Sequence, residues 1–167
     1  MKALTIMPLM ALALAGCGEE KTAQERAAEN AAAVAEVEKY QEAPPEMLAP
    51  QPILYPDIEK HGLFGAGCNF LPEGGGMGAV FLGMADGAAM KKGGEILRFA
   101  ADKGSRNNPL GSWRKYDGKD YSAELEIGQG QGEQVGSETV NFPARLVVRD
   151  GKDRVVYESA GTAQCGS

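Results

Sequence analysis

The residues best suited to catalysis are few and scattered. His61 is the single histidine of the chain and stands beside Lys60 and Gly62, without the partners that mark a catalytic triad or a metal site. The glycine-rich run 73–78 lacks the Lys-Ser/Thr pair of a phosphate-binding loop, and no helix is predicted after it. We therefore expect a surface or capping histidine, no cofactor and no enzymatic activity.

Two pairs of aspartates flank predicted turns. Asp117 and Asp120 form one pair, and Asp150 and Asp153 form the other. Calcium binding is one reading of either pair. Turn chemistry explains both without a metal, because aspartate side chains accept hydrogen bonds from nearby backbone N–H groups. We expect turns at both places.

A cluster of aromatic and basic residues is the candidate for partner binding. Trp113, Arg114 and Tyr116 lie close together, and Tyr121 follows. Aromatic side chains can line a groove, but in a small β domain they more often fill the core. We name Trp113, Arg114 and Tyr116 as the candidate contact residues and keep the core reading beside them.

The N-terminal segment has the three parts of an export signal. Lys2 precedes an apolar run of about a dozen residues, which as a helix spans only ~18 Å of a ~30 Å bilayer core. Leu14-Ala15-Gly16-Cys17 follows and resembles the lipobox of bacterial lipoproteins. The resemblance implies removal of residues 1–16 and acylation of Cys17. The alternative is an ordinary secreted protein that is cut near Ala15.

The residue after the lipobox cysteine sets the expected destination. In Gram-negative lipoproteins an aspartate at this position favours the inner membrane, and here it is Gly18. The resemblance therefore implies the outer membrane, with the protein facing the periplasm and held by its lipid. Two or three acyl chains anchor stably, whereas one chain is marginal.

The other two cysteines are predicted to form a disulfide. With Cys17 acylated, Cys68 and Cys165 remain as a pair in an oxidising compartment. A two-cysteine metal site is the alternative, but it needs further ligands. The bridge closes the two ends of the globular part.

The charge of the chain narrows the range of partners. It has 17 basic and 23 acidic residues, and loss of Lys2 with the signal leaves the mature chain at −7. This balance disfavours nucleic acid and anionic membrane surfaces. It is compatible with a basic protein partner, and it does not define the oligomeric state.

The mature chain is predicted to have three parts. Residues 17–43 carry the anchor and an alanine-rich helix, which begins with the capping box Thr22-Ala23-Gln24-Glu25. Residues 44–56 hold five prolines and are expected to form a linker that reaches ~40 Å in polyproline geometry. The alternative is that part of it lies along the domain, since Ile53, Leu54 and Tyr55 are apolar. Residues 57–167 form the globular domain.

The globular domain is predicted to be all-β, an antiparallel meander that forms a barrel or a sandwich. Apolar residues alternate along 121–127 and 140–148, and Asp-Gly or Gly-Gly pairs separate the strands. Run 129–136 is expected to be a mobile loop. The expected strands are Gly65–Leu71, Gly78–Gly83, Ala88–Lys92, Glu95–Ala101, Ser112–Tyr116, Asp120–Ile127, Glu138–Arg149 and Arg154–Ala160.

A lipobox followed by a small β domain with an early and a late cysteine is similar to the membrane-bound inhibitors of c-type lysozyme. That family inserts a Ser-Gly-x-x-Tyr loop into the lysozyme cleft. This chain has Gly111-Ser112-Trp113-Arg114-Lys115-Tyr116 instead. We therefore expect first a non-enzymatic domain that binds a protein or envelope component. Lysozyme inhibition and a structural role through the alanine-rich helix are the alternatives.

Overall fold

The computed structural model describes residues 21–41, 43–76 and 78–166. The predicted signal, 1–16, and the predicted lipidation site, Cys17, lie outside these residues. The chain divides into two compact units, one up to Ala43 and one from Pro44 onward. Each unit is described by itself.

The first unit contains one helix, α1, over Ala23–Gln41. The predicted capping box begins it: the Thr22 backbone N–H donates to Glu25 Oε2 at 2.7 Å, and the Glu25 N–H donates to Thr22 Oγ1 at 3.2 Å. The Thr22 backbone N–H and the Thr22 hydroxyl both donate to the Glu25 carboxylate and lower the pKa of Glu25. No residue of α1 is buried.

The second unit is an antiparallel β-barrel, as the all-β prediction requires. Nine strands follow the order β6-β5-β4-β3-β2-β1-β9-β8-β7, and an additional β6–β8 pairing closes the first eight into a barrel. Strand β7 stays outside the barrel. The strands are β1 Gly67–Pro72, β2 Phe81–Met84, β3 Gly87–Lys92, β4 Glu95–Ala101, β5 Lys115–Gly118, β6 Tyr121–Ile127, β7 Glu133–Val135, β8 Thr139–Asp150 and β9 Val155–Gly166.

Side chains fill the interior of the barrel. The predicted alternation places Leu125, Leu146 and Val148 in the core, each with no exposed surface. Phe81 meets the rings of Phe99 and Tyr116 edge to face, with centroids 5.9 and 5.5 Å apart. An eight-stranded barrel is just wide enough for such filling, so the interior is a packed core.

The proline-rich segment packs against the barrel instead of standing free as a linker. The backbone N–H groups of Leu48, Gln51 and Ile53 donate to barrel carbonyls at 2.8 Å. Leu48 and Ile53 are 6% and 5% exposed. The prolines exclude helix and central strand here, but they leave the remaining N–H groups free to bond an adjacent surface.

A second helix, α2 over Tyr55–His61, was not expected so close to prolines. Pro56 lies in its first turn, where no N–H partner is needed. The Asp57 carboxylate accepts from the Leu54 N–H at 2.9 Å and pairs with Lys91 at 2.8 Å. These contacts start the helix and fix it to β3.

Helix α2 covers a second, smaller apolar cluster on the outer face of the barrel. Leu82 and Ala89 point outward from β2 and β3, opposite to the side chains that fill the interior. With Ile53 and Leu63 they form this cluster, and Ile58 of the helix packs on it. The sheet is therefore apolar on both faces beneath α2, which accounts for the weak alternation of the sequence there.

Candidate binding site at one end of the barrel

One end of the barrel is closed by the connection between β4 and β5. Asn108 is 7% exposed and donates from Nδ2 to the carbonyl oxygens of Trp113 and Leu125, at 2.9 and 3.0 Å. Its N–H donates to the Ser112 carbonyl at 2.8 Å, and Ser112 is fully buried. These bonds hold a short 3₁₀ turn, Pro109–Gly111, at the barrel end.

Tyr116, predicted as a contact residue, is part of the core. It is fully buried. Its hydroxyl accepts from the Trp113 N–H at 2.8 Å and donates to the Met84 carbonyl at 3.2 Å. Burial raises the pKa of Tyr116. The partner-binding prediction is wrong for this residue, because the side chain has no surface to offer.

Trp113 and Arg114 are partly buried, and each has a partner within the domain. The Trp113 indole N–H donates to the Ala85 carbonyl at 2.9 Å. The Arg114 guanidinium contacts Glu124 and Glu126 of β6, each at 2.5 Å. These contacts orient both side chains, and whether either meets a partner stays a prediction.

The exposed apolar surface of this end belongs to Phe64 and Leu110, which the sequence did not single out. Phe64 is 62% exposed and Leu110 is 50% exposed. Both line a cleft of about 520 Å³, with Met84, Ala85 and Phe99 among its other walls. A cleft of this size is within the range that protein binding sites occupy.

Leu110 has a backbone conformation that is unusual for its residue type. Its φ and ψ are 54° and 32°, in the left-handed region that bulky residues seldom adopt. The Ser112 N–H and hydroxyl both donate to the Pro109 carbonyl, at 3.1 and 2.8 Å, and fix the turn. Such strain costs about 1–3 kcal/mol and is concentrated at functional sites.

The predicted disulfide lies beneath this turn. Cys68 of β1 and Cys165 of β9 are directly paired in the ladder and are bonded to each other. The Cys68 sulfur lies 3.6 Å from the Pro109 carbonyl oxygen. Because a disulfide sulfur carries no proton, this is a van der Waals contact and not a hydrogen bond. The bridge therefore joins the first and last strands next to the 3₁₀ turn.

The charges around the cleft are engaged in local contacts. Asp86, at the cleft, pairs with Lys103 at 2.9 Å, and this partner lowers the pKa of Asp86. Arg98 donates to the His61 carbonyl at 2.6 Å. His61 is the last residue of α2, with Gly62 as the C-cap, and it accepts this bond through its backbone oxygen.

The Asp150 turn is held by hydrogen bonds to its own carboxylate, as turn chemistry predicts. The Asp150 carboxylate accepts from the backbone N–H groups of Lys152 and Arg154, at 2.9 and 3.0 Å, and from Arg154 Nε at 2.8 Å. The Arg154 side chain lowers the pKa of Asp150. Within the described ranges, no three histidine, cysteine, aspartate or glutamate residues are grouped to hold a metal ion.

Comparison with known proteins gave no relative. The chain matches no family model, no curated protein and no solved structure. None of the described helices is long and apolar enough to cross a membrane.

Proposed function

We propose that this chain is a lipid-anchored protein of the outer membrane, facing the periplasm, whose barrel binds a protein partner without catalysis. The lipobox-like Leu14-Ala15-Gly16-Cys17 supports the anchor. The exposed apolar residues Phe64 and Leu110, which line one cleft, support the binding role.

The single observation that carries the binding role is the exposed, left-handed Leu110. A leucine at a turn tip gains nothing for the fold from exposing its side chain, and its backbone conformation costs free energy. Burial against a partner would contribute about 1–2 kcal/mol for each half-exposed apolar side chain. The acidic mature chain favours a basic partner and speeds its approach.

Site-specific cross-linking in the native envelope tests the binding role. A photoreactive side chain at position 110 is expected to join the protein to one discrete partner. Phe64→Asp should abolish that product. Leu54 is similarly exposed, at 56%, on a different surface, so Leu54→Asp is the matched control and should leave the product intact. Equal loss with both variants would reject the cleft as the binding surface.

The anchor has its own test. Cys17→Ser is expected to release the protein from washed membranes into the soluble fraction. Retention of the Cys17→Ser chain on the membrane would reject acylation as the anchor, and the cross-linking result would be unaffected by that outcome.

Lysozyme inhibition is the second candidate. A closed barrel with joined early and late cysteines is compatible with it. The segment 111–116, which stands in place of the inhibitory loop, ends in the buried Tyr116, so that tyrosine is not available to enter a cleft. The mature chain mixed with c-type lysozyme should slow cell-wall lysis if the activity exists; unchanged lysis at micromolar protein removes it.

A further inference from the structure

Strand β7 is the one strand of the described residues with an unpaired edge. Closure of the barrel gives every other strand a neighbour on both sides, whereas β7 pairs only with β8. Its three residues, Glu133–Val135, are all exposed. An unpaired edge presents N–H and C=O groups that can pair with another chain.

This edge lacks the features that usually block strand addition. Natural edges carry lysine, proline or a covering element. Residues 128–142 contain neither a proline nor a basic residue, and their only charged residues are Glu133 and Glu138. Val135 is 44% exposed. The edge is therefore open, negatively charged and partly apolar.

A large cavity adjoins the same strand. Its volume is about 870 Å³, and its walls include Glu133 of β7, Glu73 of the β1–β2 loop, and Thr162 and Gln164 of β9. Asn141 of β8 also lines it, and the buried Oδ1 of this asparagine has no hydrogen-bond partner in the described structure. The side chains that line the cavity thus supply several hydrogen-bond acceptors. One of these residues, Asn141, has a buried oxygen that no described donor satisfies.

We propose that the free edge of β7 and the adjoining cavity bind an extended, positively charged peptide segment of a partner protein. The segment adds a strand to β7 through its backbone, and its alternate side chains enter the cavity. Lysine or arginine there meets Glu73 and Glu133, which both line the cavity. This surface is separate from the Phe64–Leu110 cleft, and the proposal stands without it.

Charge decides between this occupant and a second copy of the chain. Pairing two β7 edges would bring the Glu133 side chains of two copies close together, which like-charge repulsion disfavours. A basic segment gains attraction at the same positions. Because β7 offers only three residues, about 10 Å of strand, we expect modest affinity that weakens as salt is added.

Fluorescence anisotropy of the mature Cys17→Ser chain with labelled peptides tests the proposal. The probe is a blocked seven-residue peptide of alternating lysine and valine. The same peptide with every internal amide N-methylated has no N–H group on either edge to donate to β7, and a glutamate-for-lysine peptide reverses the charge. Both control peptides are expected to bind at least tenfold more weakly than the probe.

Paired protein variants separate the site from overall charge. Glu133→Lys with Glu138→Lys should weaken probe binding about tenfold. Glu59→Lys with Glu95→Lys, at exposed positions elsewhere, makes the same charge change and should alter binding less than twofold. Thermal unfolding should show both double variants folded, because all four side chains are exposed.

Three results would overturn the proposal. The first is equal binding of the N-methylated probe. The second is an equal loss from both double variants. The third is evidence for a different occupant. A chitin trisaccharide that binds only when Glu133 is present, while the probe does not bind, would show that the site takes a saccharide. A dimer in sedimentation velocity that Val135→Pro dissociates would show that the edge pairs with a second copy of the chain.

Discussion

Loss of the Cys68–Cys165 bridge is expected to destabilise the barrel by several kcal/mol. The two residues are 97 positions apart in sequence, and in the chain-entropy model a loop of about 100 residues is worth ~4.7 kcal/mol. For a unit of this size the entropy of unfolding is roughly 0.25 kcal/mol/K, so the midpoint temperature should fall by roughly 15–20 °C. The native pairing of β1 with β9 survives reduction, because the backbone ladder holds the same register.

Urea unfolding of the oxidised and reduced Cys17→Ser chain measures this effect without changing a core side chain. We expect the reduced protein to unfold at lower urea with a steeper slope, because its unfolded state is less constrained and exposes more surface. Cys68→Ala with Cys165→Ala should give a similar loss plus a small cavity cost. A difference below about 1 kcal/mol between oxidised and reduced protein would refute the entropic reasoning.

Three further predictions address the core, the α2 contact and the cavity. Tyr116→Phe should lower the free energy of unfolding by about 1–2 kcal/mol, since it leaves a buried N–H and carbonyl unpaired; the exposed Tyr55→Phe is the urea-unfolding control. The lowered pKa of Asp57 stabilises the fold above the unfolded value of about 3.9, and this contribution is lost as pH falls through the lower folded value. A pH series of urea melts should therefore show a smaller acid loss for Lys91→Met, and equal loss would contradict the pair. Asn141→Leu should raise the free energy of unfolding by about 1 kcal/mol, because it removes a buried oxygen that has no hydrogen-bond partner among the described residues; a destabilised variant in the same urea melts would contradict this.

The barrel was predictable where its sequence signals were local. Strand β4 has the predicted bounds, Glu95–Ala101, because Gly93-Gly94 supplies the two positive φ angles of its turn. The alternation of β6 and β8 gave the inner face before the register was known. The choice between sandwich and barrel was not predictable from the sequence. It depends on the pairing of β6 with β8, and β7 lies between these two strands in the chain.

The predictions failed where a segment takes its structure from a distant surface. Prolines limit local φ angles, but they do not show that Leu48 and Ile53 are buried against the barrel. Strand β7 falls in a low-complexity Gln-Gly run, and its three residues pair only because β8 extends past the barrel. Strand β9 likewise continues to Gly166. It pairs with β8 from Val155 to Cys165, and Gly166 itself pairs with Gly67 of β1.

The candidate site shows the same division. Tyr116 stands between Lys115 and Asp117 in the sequence, and this alternation already favours an inward tyrosine. No comparable signal marks Leu110, because its exposure and left-handed backbone result from the bonds of Ser112 to Pro109. Side-chain type alone pointed to Trp113 and Tyr116 as contact residues. The exposed apolar side chain is Leu110, in the Pro109–Gly111 turn that precedes them.

Closure of the barrel restricts where any ligand can bind. The interior is filled, with Phe70, Phe81 and Tyr116 showing no exposed surface, and each barrel strand has a neighbour on both sides over at least part of its length. The two candidate surfaces both lie outside the closed sheet: the turn at Leu110 and the free edge of β7. Leu110→Asp and the Glu133→Lys, Glu138→Lys pair act on separate surfaces, so each should impair only its own ligand. Loss of both ligands from either change would mean that the two surfaces form one site.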